Sequence, residues 1–87
     1  MAGRRPPIQI NEPDITVPLH EVESSCLSRV GYDAEMETLY LTYRPTGMTY
    51  LYFDFSAGDY AAFIGASSLG NYVNKVIKPL YACLPEN

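Results

Sequence analysis

Residues 38–53 carry the sequence TLYLTYRPTGMTYLYF, and this stretch decides the fold. Residues 38–43 and 48–53 are rich in threonine, tyrosine and other residues that favour strands. Between them, RPTG at residues 44–47 places a proline early and a glycine last, as β-turns prefer. The sequence therefore predicts a β-hairpin, with strands at Thr38–Tyr43 and Met48–Phe53 and a four-residue turn.

The hairpin register follows from pairing Tyr43 with Met48 across the turn. Side chains alternate between the two faces of a sheet, so every further pair is then fixed. Leu41 is opposite Tyr50, and Leu39 is opposite Tyr52. One face carries Leu39, Leu41, Tyr43, Met48, Tyr50 and Tyr52, and we expect it to lie beneath helices. The other carries Thr38, Tyr40, Thr42, Thr49, Leu51 and Phe53.

The sequence outside the hairpin supplies a preceding strand and two following helices. Leu27–Asp33 is predicted as a strand, followed by a polar turn at residues 34–37. Ser56 to Asp59 matches a capping box, which predicts a helix start, and Gly65 ends that helix. The fold class predicted is α+β: a small antiparallel sheet of about three strands packed against two C-terminal helices.

A second helix is expected to start at Ser67 or Ser68 and to stop near Pro79, because proline cannot continue a helix. Its residues Tyr72, Val73, Val76 and Ile77 share one face. The predicted core of the whole domain is Leu39, Leu41, Tyr50, Tyr52, Phe63, Tyr72 and Ile77.

The N-terminal segment differs from the rest, with four of the seven prolines in residues 1–19. Proline excludes a helix or a central strand here. Apolar residues nevertheless alternate in it, which indicates an arm that lies on a surface. These residues are Ile8, Ile10, Ile15, Val17 and Leu19. We expect an extended arm at 1–20, a single domain at 21–84 and a tail at 85–87. The surface beneath the arm belongs either to the same chain or to a neighbour.

Composition limits the classes of function. The 87 residues fit one domain, and the net charge of −4 disfavours tight, non-specific binding to nucleic acid. No apolar run approaches the length of a membrane span and no signal sequence is visible, so a cytoplasmic location is expected. Cys26 and Cys83 are favoured as free thiols over a single disulfide.

Catalytic and metal-binding constellations are not predicted. The single histidine, His20, lies in the arm, and a pair with the nearby Ser24, Ser25 or Cys26 would not make a convincing triad. Two cysteines and one histidine lack the spacing of a zinc site. We therefore expect no catalytic residue, no metal and no cofactor. The candidate contacts for nucleic acid or an anion are Arg29, Arg44, Ser67, Ser68, Lys75 and Lys78.

Four short segments, taken in order, resemble the KTSC domain family. They are Ser24-Ser25, then residues 30–33 (VGYD), then residues 50–52 (YLY), and finally the pattern AxSxGxYxN at residues 66–74. Ile77 and Tyr81 extend the match, which spans about residues 22–81. The arm lies outside it.

The resemblance implies a compact α+β module, usually bacterial or from a phage and often a stand-alone protein. RNA binding is suggested by the family's occurrence at the C-terminus of some lysyl-tRNA synthetases. This chain departs from the family in having Leu51, where a charged residue often separates the two tyrosines. Its final helix is also less basic than is usual in the family.

Three hypotheses for function remain. The first is a non-enzymatic interaction or assembly module, such as a virion component or an inhibitor of a host protein. It would dock on a protein partner or on a second copy through the arm and the face formed by Tyr40, Leu51 and Phe53, because large apolar patches mark interaction sites. The second is an RNA-binding module, and the third binds a small nucleotide at residues 67–70. An enzyme ranks last.

Overall fold

A five-stranded antiparallel sheet forms the body of the protein, in a computed structural model that describes residues 4–81. The strand order is β1-β5-β4-β3-β2. The strands are β1 Ile8–Ile10, β2 His20–Glu21, β3 Leu27–Asp33, β4 Thr38–Tyr43 and β5 Thr49–Tyr52. The expectation of about three strands is therefore wrong. Of the central three, β3 and β4 have the predicted bounds and β5 is shorter, and the segment before β3 adds one short strand at each edge.

The central hairpin has the predicted register. Leu39 pairs with Tyr52 and Leu41 with Tyr50. The pattern continues to the turn, where the Tyr43 N–H donates to the Met48 carbonyl at 2.9 Å. Within the turn, Gly47 has a φ of 75°, a left-handed conformation that glycine adopts without steric cost. The division of side chains between the two faces follows from this register.

Two helical segments pack on one face of the sheet. The first, α1, is Ala57–Ile64, and its capping box joins Ser56 and Asp59 in both directions as predicted. The C-terminal helix, residues 69–80, starts after Ser68, whose hydroxyl accepts from the Asn71 N–H at 3.3 Å. It comprises Leu69–Tyr72 in α geometry, Val73–Ile77 in π geometry and a last α turn, Lys78–Leu80.

The π turn lies directly before the helical proline, Pro79. Proline lacks an N–H, so Pro79 cannot donate to the carbonyl four residues earlier. Just before it, the Lys78 N–H donates to the Val73 carbonyl, five residues back. Pro79 does not end the helix by itself, since Leu80 is still helical. The wider turn sets where the side chains of the last helical residues project.

The core lies between the helices and the inner face of the sheet. Phe63 of α1 and Val73 and Ile77 of the C-terminal helix are fully buried against it. Sheet residues buried in the same cluster are Leu27, Val30, Leu39, Leu41 and Tyr52. Tyr50 and Tyr72, which were predicted in the core, are half-buried and pack against its edge.

The N-terminal arm crosses the outer face, opposite the helices. It starts at one edge, where β1 pairs with β5, and ends at the other, where β2 pairs with β3. Between these strands it forms a 3₁₀ turn at Glu12–Asp14. Near the end of the crossing it lies so close to Gly31 that an added Cβ would be 2.5 Å from Leu19 Cδ2. The arm is thus part of the domain in residues 4–20, not an appendage.

Contacts along the arm hold it to its own sheet. The Arg29 guanidinium donates to both carboxylate oxygens of Glu12, at 2.9 and 3.1 Å. At the start of the arm, the Arg4 N–H donates to the Leu80 carbonyl at 2.8 Å. Residues 82–87 lie outside the described range, as do the predicted tail and the Cys83 half of the considered disulfide.

Candidate binding cleft

An open cleft of about 310 Å³ lies beside the turn of the central hairpin, on the helix side of the sheet. Most of its wall consists of aromatic and aliphatic side chains, with two cationic side chains added. The lining residues are Tyr43, Arg44, Thr46, Met48, Tyr50, Tyr52 and Lys78. We refer to this set as the tyrosine cleft.

The hairpin register and the end of the last helix together build the cleft. Tyr43, Tyr50 and Tyr52 project to the helix side because they share one parity in the paired strands. Met48 follows the turn on the same side, with 42% of its surface exposed. Lys78 comes from the last turn of the C-terminal helix, next to the π geometry at Val73–Ile77. Such π segments are frequent at functional sites.

The tyrosine rings are fixed by contacts with each other. The hydroxyl groups of Tyr43 and Tyr52 are 2.6 Å apart and share a hydrogen bond. The Tyr43 and Tyr50 rings meet edge to face at 5.8 Å, and the Tyr52 and Tyr81 rings do so at 5.3 Å. Edge-to-face pairs of this kind stabilise beyond the apolar area they bury. The aromatic wall is therefore rigid before any ligand arrives.

Burial keeps these phenols neutral. It raises the pKa of Tyr43 far above its ordinary value, with a smaller contribution from the adjacent Tyr52 hydroxyl. Burial likewise raises the pKa of Tyr52. Both phenols therefore stay protonated near neutral pH, and each can donate and accept hydrogen bonds.

The two cationic side chains of the cleft have different roles. The Lys78 ammonium lies over the Tyr43 ring, 5.7 Å from its centre, in a cation–π arrangement. The Arg44 Nε donates to the carbonyls of Ser24 and Leu27 at 3.0 and 2.9 Å, and its Nη2 to that of Val22 at 3.4 Å. Arg44 thus holds the segment before β3 in place.

The predicted anion contacts do not form one surface. Arg29 is ion-paired with Glu12 on the outer face, and only Arg44 and Lys78 line the tyrosine cleft. A separate hollow of about 240 Å³ contains Ser67, Ser68 and Lys75. There the Ser68 hydroxyl already accepts from the Asn71 N–H as a helix cap. The turn at residues 67–70 therefore has a structural role, which weakens the hypothesis of a nucleotide site.

The predicted interaction face lies under the arm of the same chain. Tyr40 is only 6% exposed, whereas Leu51 and Phe53 are half-buried. Next to them, Thr42 and Thr49 are buried, and their hydroxyls hydrogen-bond each other at 2.7 Å. Of the predicted arm residues, Ile10, Ile15, Val17 and Leu19 are half-buried and Ile8 is 50% exposed. In this structure the arm buries Tyr40 and covers Leu51 and Phe53 in part, and Ile8 at the edge is the most exposed of these residues.

Tyr43 and Met48 were missing from the predicted site. The hairpin register already places both on the helix side, as the pair next to the turn. This position could have predicted their exposure, because the pair next to the turn lies farthest from a core centred on Leu39 and Leu41. What the sequence does not specify is that Lys78 meets them there.

Other kinds of site were sought in the part of the chain that the structure describes. Within residues 4–81, no group of three or more metal-ligating side chains converges. His20 lies exposed in edge strand β2, opposite Val30. No helix in the same range is long and apolar enough to cross a membrane.

Comparison with known proteins finds relatives of this chain in sequence and in fold. The sequence profile of the KTSC domain matches residues 23–81. A protein of Tsukamurella paurometabola is 33% identical over 63 residues, covering 72% of this chain and 92% of that protein. The crystal structure of a KTSC domain protein from Yersinia pestis superposes with a TM-score of 0.71 at 28% identity. That match covers 83% of this chain and all of the Yersinia chain.

Proposed function

This chain belongs to the KTSC domain family, and we propose that it is a non-enzymatic protein-interaction module whose docking site is the tyrosine cleft. One observation carries the proposal. A methionine with 42% of its surface exposed, Met48, stands beside three tyrosines that are already locked against each other. Tyrosine and methionine are enriched at protein interfaces.

The rigidity of the cleft favours binding. Ordering a flexible side chain on association costs about 0.5–1.5 kcal/mol. Tyr43, Tyr50 and Tyr52 avoid most of this cost because ring contacts and the hydroxyl pair already fix them. Met48 has a flexible thioether that adapts to different apolar partners. A single apolar side chain of a partner fits a volume of about 310 Å³.

The position of the arm favours the cleft over the outer face as the docking site. Binding at Tyr40 would first require the arm to leave, with loss of the β1–β5 and β2–β3 pairs. The cleft lies on the opposite side of the sheet and needs no such rearrangement. The arm therefore completes the domain, and the cleft remains for a partner.

Binding of single-stranded RNA is the second candidate, because tyrosine rings beside cations can stack a base and contact its phosphate. The tyrosine cleft has both elements in Tyr50 and Lys78. Two observations disfavour RNA binding. The net charge is −4, and Arg44 already donates to backbone carbonyls. Protein interaction is therefore the preferred function.

We further propose that the protein acts as a stand-alone accessory or structural protein of a bacterium or a phage. The lengths of its relatives support this. The match spans 92% of the Tsukamurella protein and the whole Yersinia chain, so both are close to one domain in size. A role in a virion would be tested by detecting the protein in purified phage particles.

Selection from a random peptide library on the immobilised full chain tests the interaction proposal. Selected peptides should share an apolar residue and bind with a measurable Kd in fluorescence anisotropy. Met48→Lys should weaken them about tenfold or more, since a buried apolar side chain contributes about 1.5–3 kcal/mol. The matched control is Met36→Lys, which changes a 69% exposed methionine in the turn at the other end of β4.

The proposal requires binding to fall in Met48→Lys and to stay within about twofold of wild type in Met36→Lys. Circular dichroism should report the same secondary structure for all three proteins. Equal affinity of wild type and Met48→Lys, or the absence of any selected peptide, would refute the tyrosine cleft as a protein-docking site.

A further inference from the structure

The tyrosine cleft offers several hydrogen-bond donors to a ligand. The hydroxyls of Tyr43 and Tyr52 are 2.6 Å apart, so one of them donates to the other. Each phenol has one hydrogen, and the pair therefore retains one that it does not use itself. The Thr46 hydroxyl accepts from the Met48 N–H at 3.3 Å, which leaves its own hydrogen to donate. The Lys78 ammonium supplies donors only.

The formal charge of the cleft is positive, which also favours a ligand with hydrogen-bond acceptors. Arg44 and Lys78 are two of its seven lining residues, and none of the seven is acidic. Lys78 takes part in none of the three ion pairs found in residues 4–81. Arg44 uses Nε and Nη2 for backbone carbonyls, so the other terminal nitrogen lies outside those bonds. A ligand that fits must therefore bring acceptors and negative charge.

We infer that the tyrosine cleft recognises an acidic peptide segment, in which an apolar or aromatic side chain enters between Met48 and Tyr50 and a neighbouring carboxylate meets Lys78. This inference rests on the proposed function and specifies its partner. The apolar wall requires the anchor, and the donor-rich rim requires the carboxylate. A carboxylate can accept hydrogen bonds from an ammonium and a phenol together, and such charge-assisted bonds are the strong ones.

The charge of the rest of the protein limits the number of acidic groups in the segment. The chain has ten acids against six lysines and arginines. A long polyanion would extend beyond the cleft and be repelled by these acidic side chains. One or two carboxylates next to Lys78 would interact mainly with its ammonium group. The same balance favours a short acidic peptide over a nucleic acid strand, which carries a charge at every nucleotide.

Four defined probes test the inference on the full chain. Three are pentapeptides capped at both ends, with a glycine at each end and a central phenylalanine that stands between two aspartates, two asparagines or two lysines. The aspartate and asparagine peptides differ in charge but hardly in shape. The fourth probe is a five-nucleotide uridine RNA. Affinities are measured for wild type, for Lys78→Gln and for the control Lys75→Gln, which lies in the separate hollow.

The expected result is that wild type binds the aspartate peptide about fivefold more tightly than the asparagine peptide, as suits one partly exposed charge pair. This ratio should fall to near one in Lys78→Gln and persist in Lys75→Gln. The lysine peptide should bind most weakly of the three.

Several results would overturn the inference. If the asparagine peptide binds as tightly as the aspartate peptide, or if their ratio survives Lys78→Gln, acid recognition is wrong. Loss of binding in Met48→Lys would then still support the tyrosine cleft as a docking site. If the RNA binds more tightly than every peptide and depends on Lys78, the ligand is nucleic acid. If no peptide binds even at millimolar concentration, the inference and the proposed function both fail.

Discussion

The hydroxyl groups of Tyr43 and Tyr52 hydrogen-bond each other at 2.6 Å, and this pair joins the inner core to the tyrosine cleft. Tyr52 is buried, and its ring also meets Tyr81 next to the C-terminal helix. Tyr43 is half-buried and carries the Lys78 ammonium over its ring. The wall of the candidate site is thereby supported by the packing of the core.

Removing the Tyr52 ring should destabilise the whole domain. Tyr52→Ala is expected to lower the free energy of unfolding by about 3 kcal/mol or more, as for other buried aromatic truncations. Urea titration measures this directly. A loss below about 1 kcal/mol would mean that Tyr52 does not pack beneath the helices as described.

The hydroxyl pair can be separated from the rings with phenylalanine variants. Tyr43→Phe and Tyr52→Phe should each cost about 0.5–1.5 kcal/mol, because each removes the hydrogen bond between the two hydroxyls. The double variant should cost less than the sum of the two, since no hydroxyl then remains unpaired. Strict additivity in urea titrations would show that the two hydroxyls do not interact.

Alkaline pH should unfold the protein through its buried tyrosines. Burial raises the pKa of Tyr43 and Tyr52 above the value of about 10 that they have in the unfolded chain. The folded state therefore holds these protons more tightly. The stability they contribute is complete below pH ~10 and is lost as pH rises above it.

Phenolate absorbance and circular dichroism, followed together during an alkaline titration, measure this effect. Some of the eight tyrosines should ionise only as the secondary structure is lost. If all eight ionise near pH ~10 while the protein stays folded, the phenols are not buried as described.

Gly31 should be essential for docking of the arm. A methyl group at this position would lie 2.5 Å from Leu19 Cδ2 and 2.8 Å from the Pro18 carbonyl oxygen. Gly31→Ala should therefore destabilise by about 1–3 kcal/mol, the usual cost of overpacking. The control, Gly58→Ala in α1, places its methyl no closer than 3.8 Å to Ser56 Oγ and should be neutral or stabilising. Equal stability of wild type and Gly31→Ala would contradict the crossing path of the arm.

Generic nucleic acid should bind weakly or not at all near physiological salt, because the protein carries a net charge of −4. Fluorescence anisotropy with mixed-sequence RNA and DNA over a range of salt concentrations measures this. Submicromolar affinity with a steep salt dependence would mean that the protein neutralises several phosphates. RNA binding would then replace protein interaction as the proposed function.

The central strands could be predicted because their signal is local. The bounds of β3 and β4 match the prediction, since dense strand-forming residues end at clear turns at residues 34–37 and 44–47. Strand β5 is shorter than predicted by Met48 and Phe53. The capping box at Ser56 was likewise predictable from spacing, whereas the second cap was predicted only as Ser67 or Ser68, and the structure has Ser68.

The arm strands and the tyrosine cleft depend on contacts between distant residues. Strand β1 has three residues and β2 has two. Because they are so short, their conformation depends on pairing with β5 and β3 and not on local strand propensity. The alternation of Ile8 and Ile10 predicted contact with a surface, but not that this segment pairs with β5. The cleft also depends on the position of Lys78, which follows the π turn and is far in sequence from the hairpin that it meets.

The most direct test of the account is to map the binding site of the aspartate-flanked phenylalanine peptide by amide chemical shifts of the isotope-labelled full chain. The account predicts saturable shifts that are largest at Met48, Tyr50 and Lys78, which line the tyrosine cleft. Amides at Ile8 and Tyr40, on the arm side of the sheet, should remain unchanged. Shifts centred on Ile8 and Tyr40, or no saturable shifts at all, would contradict it.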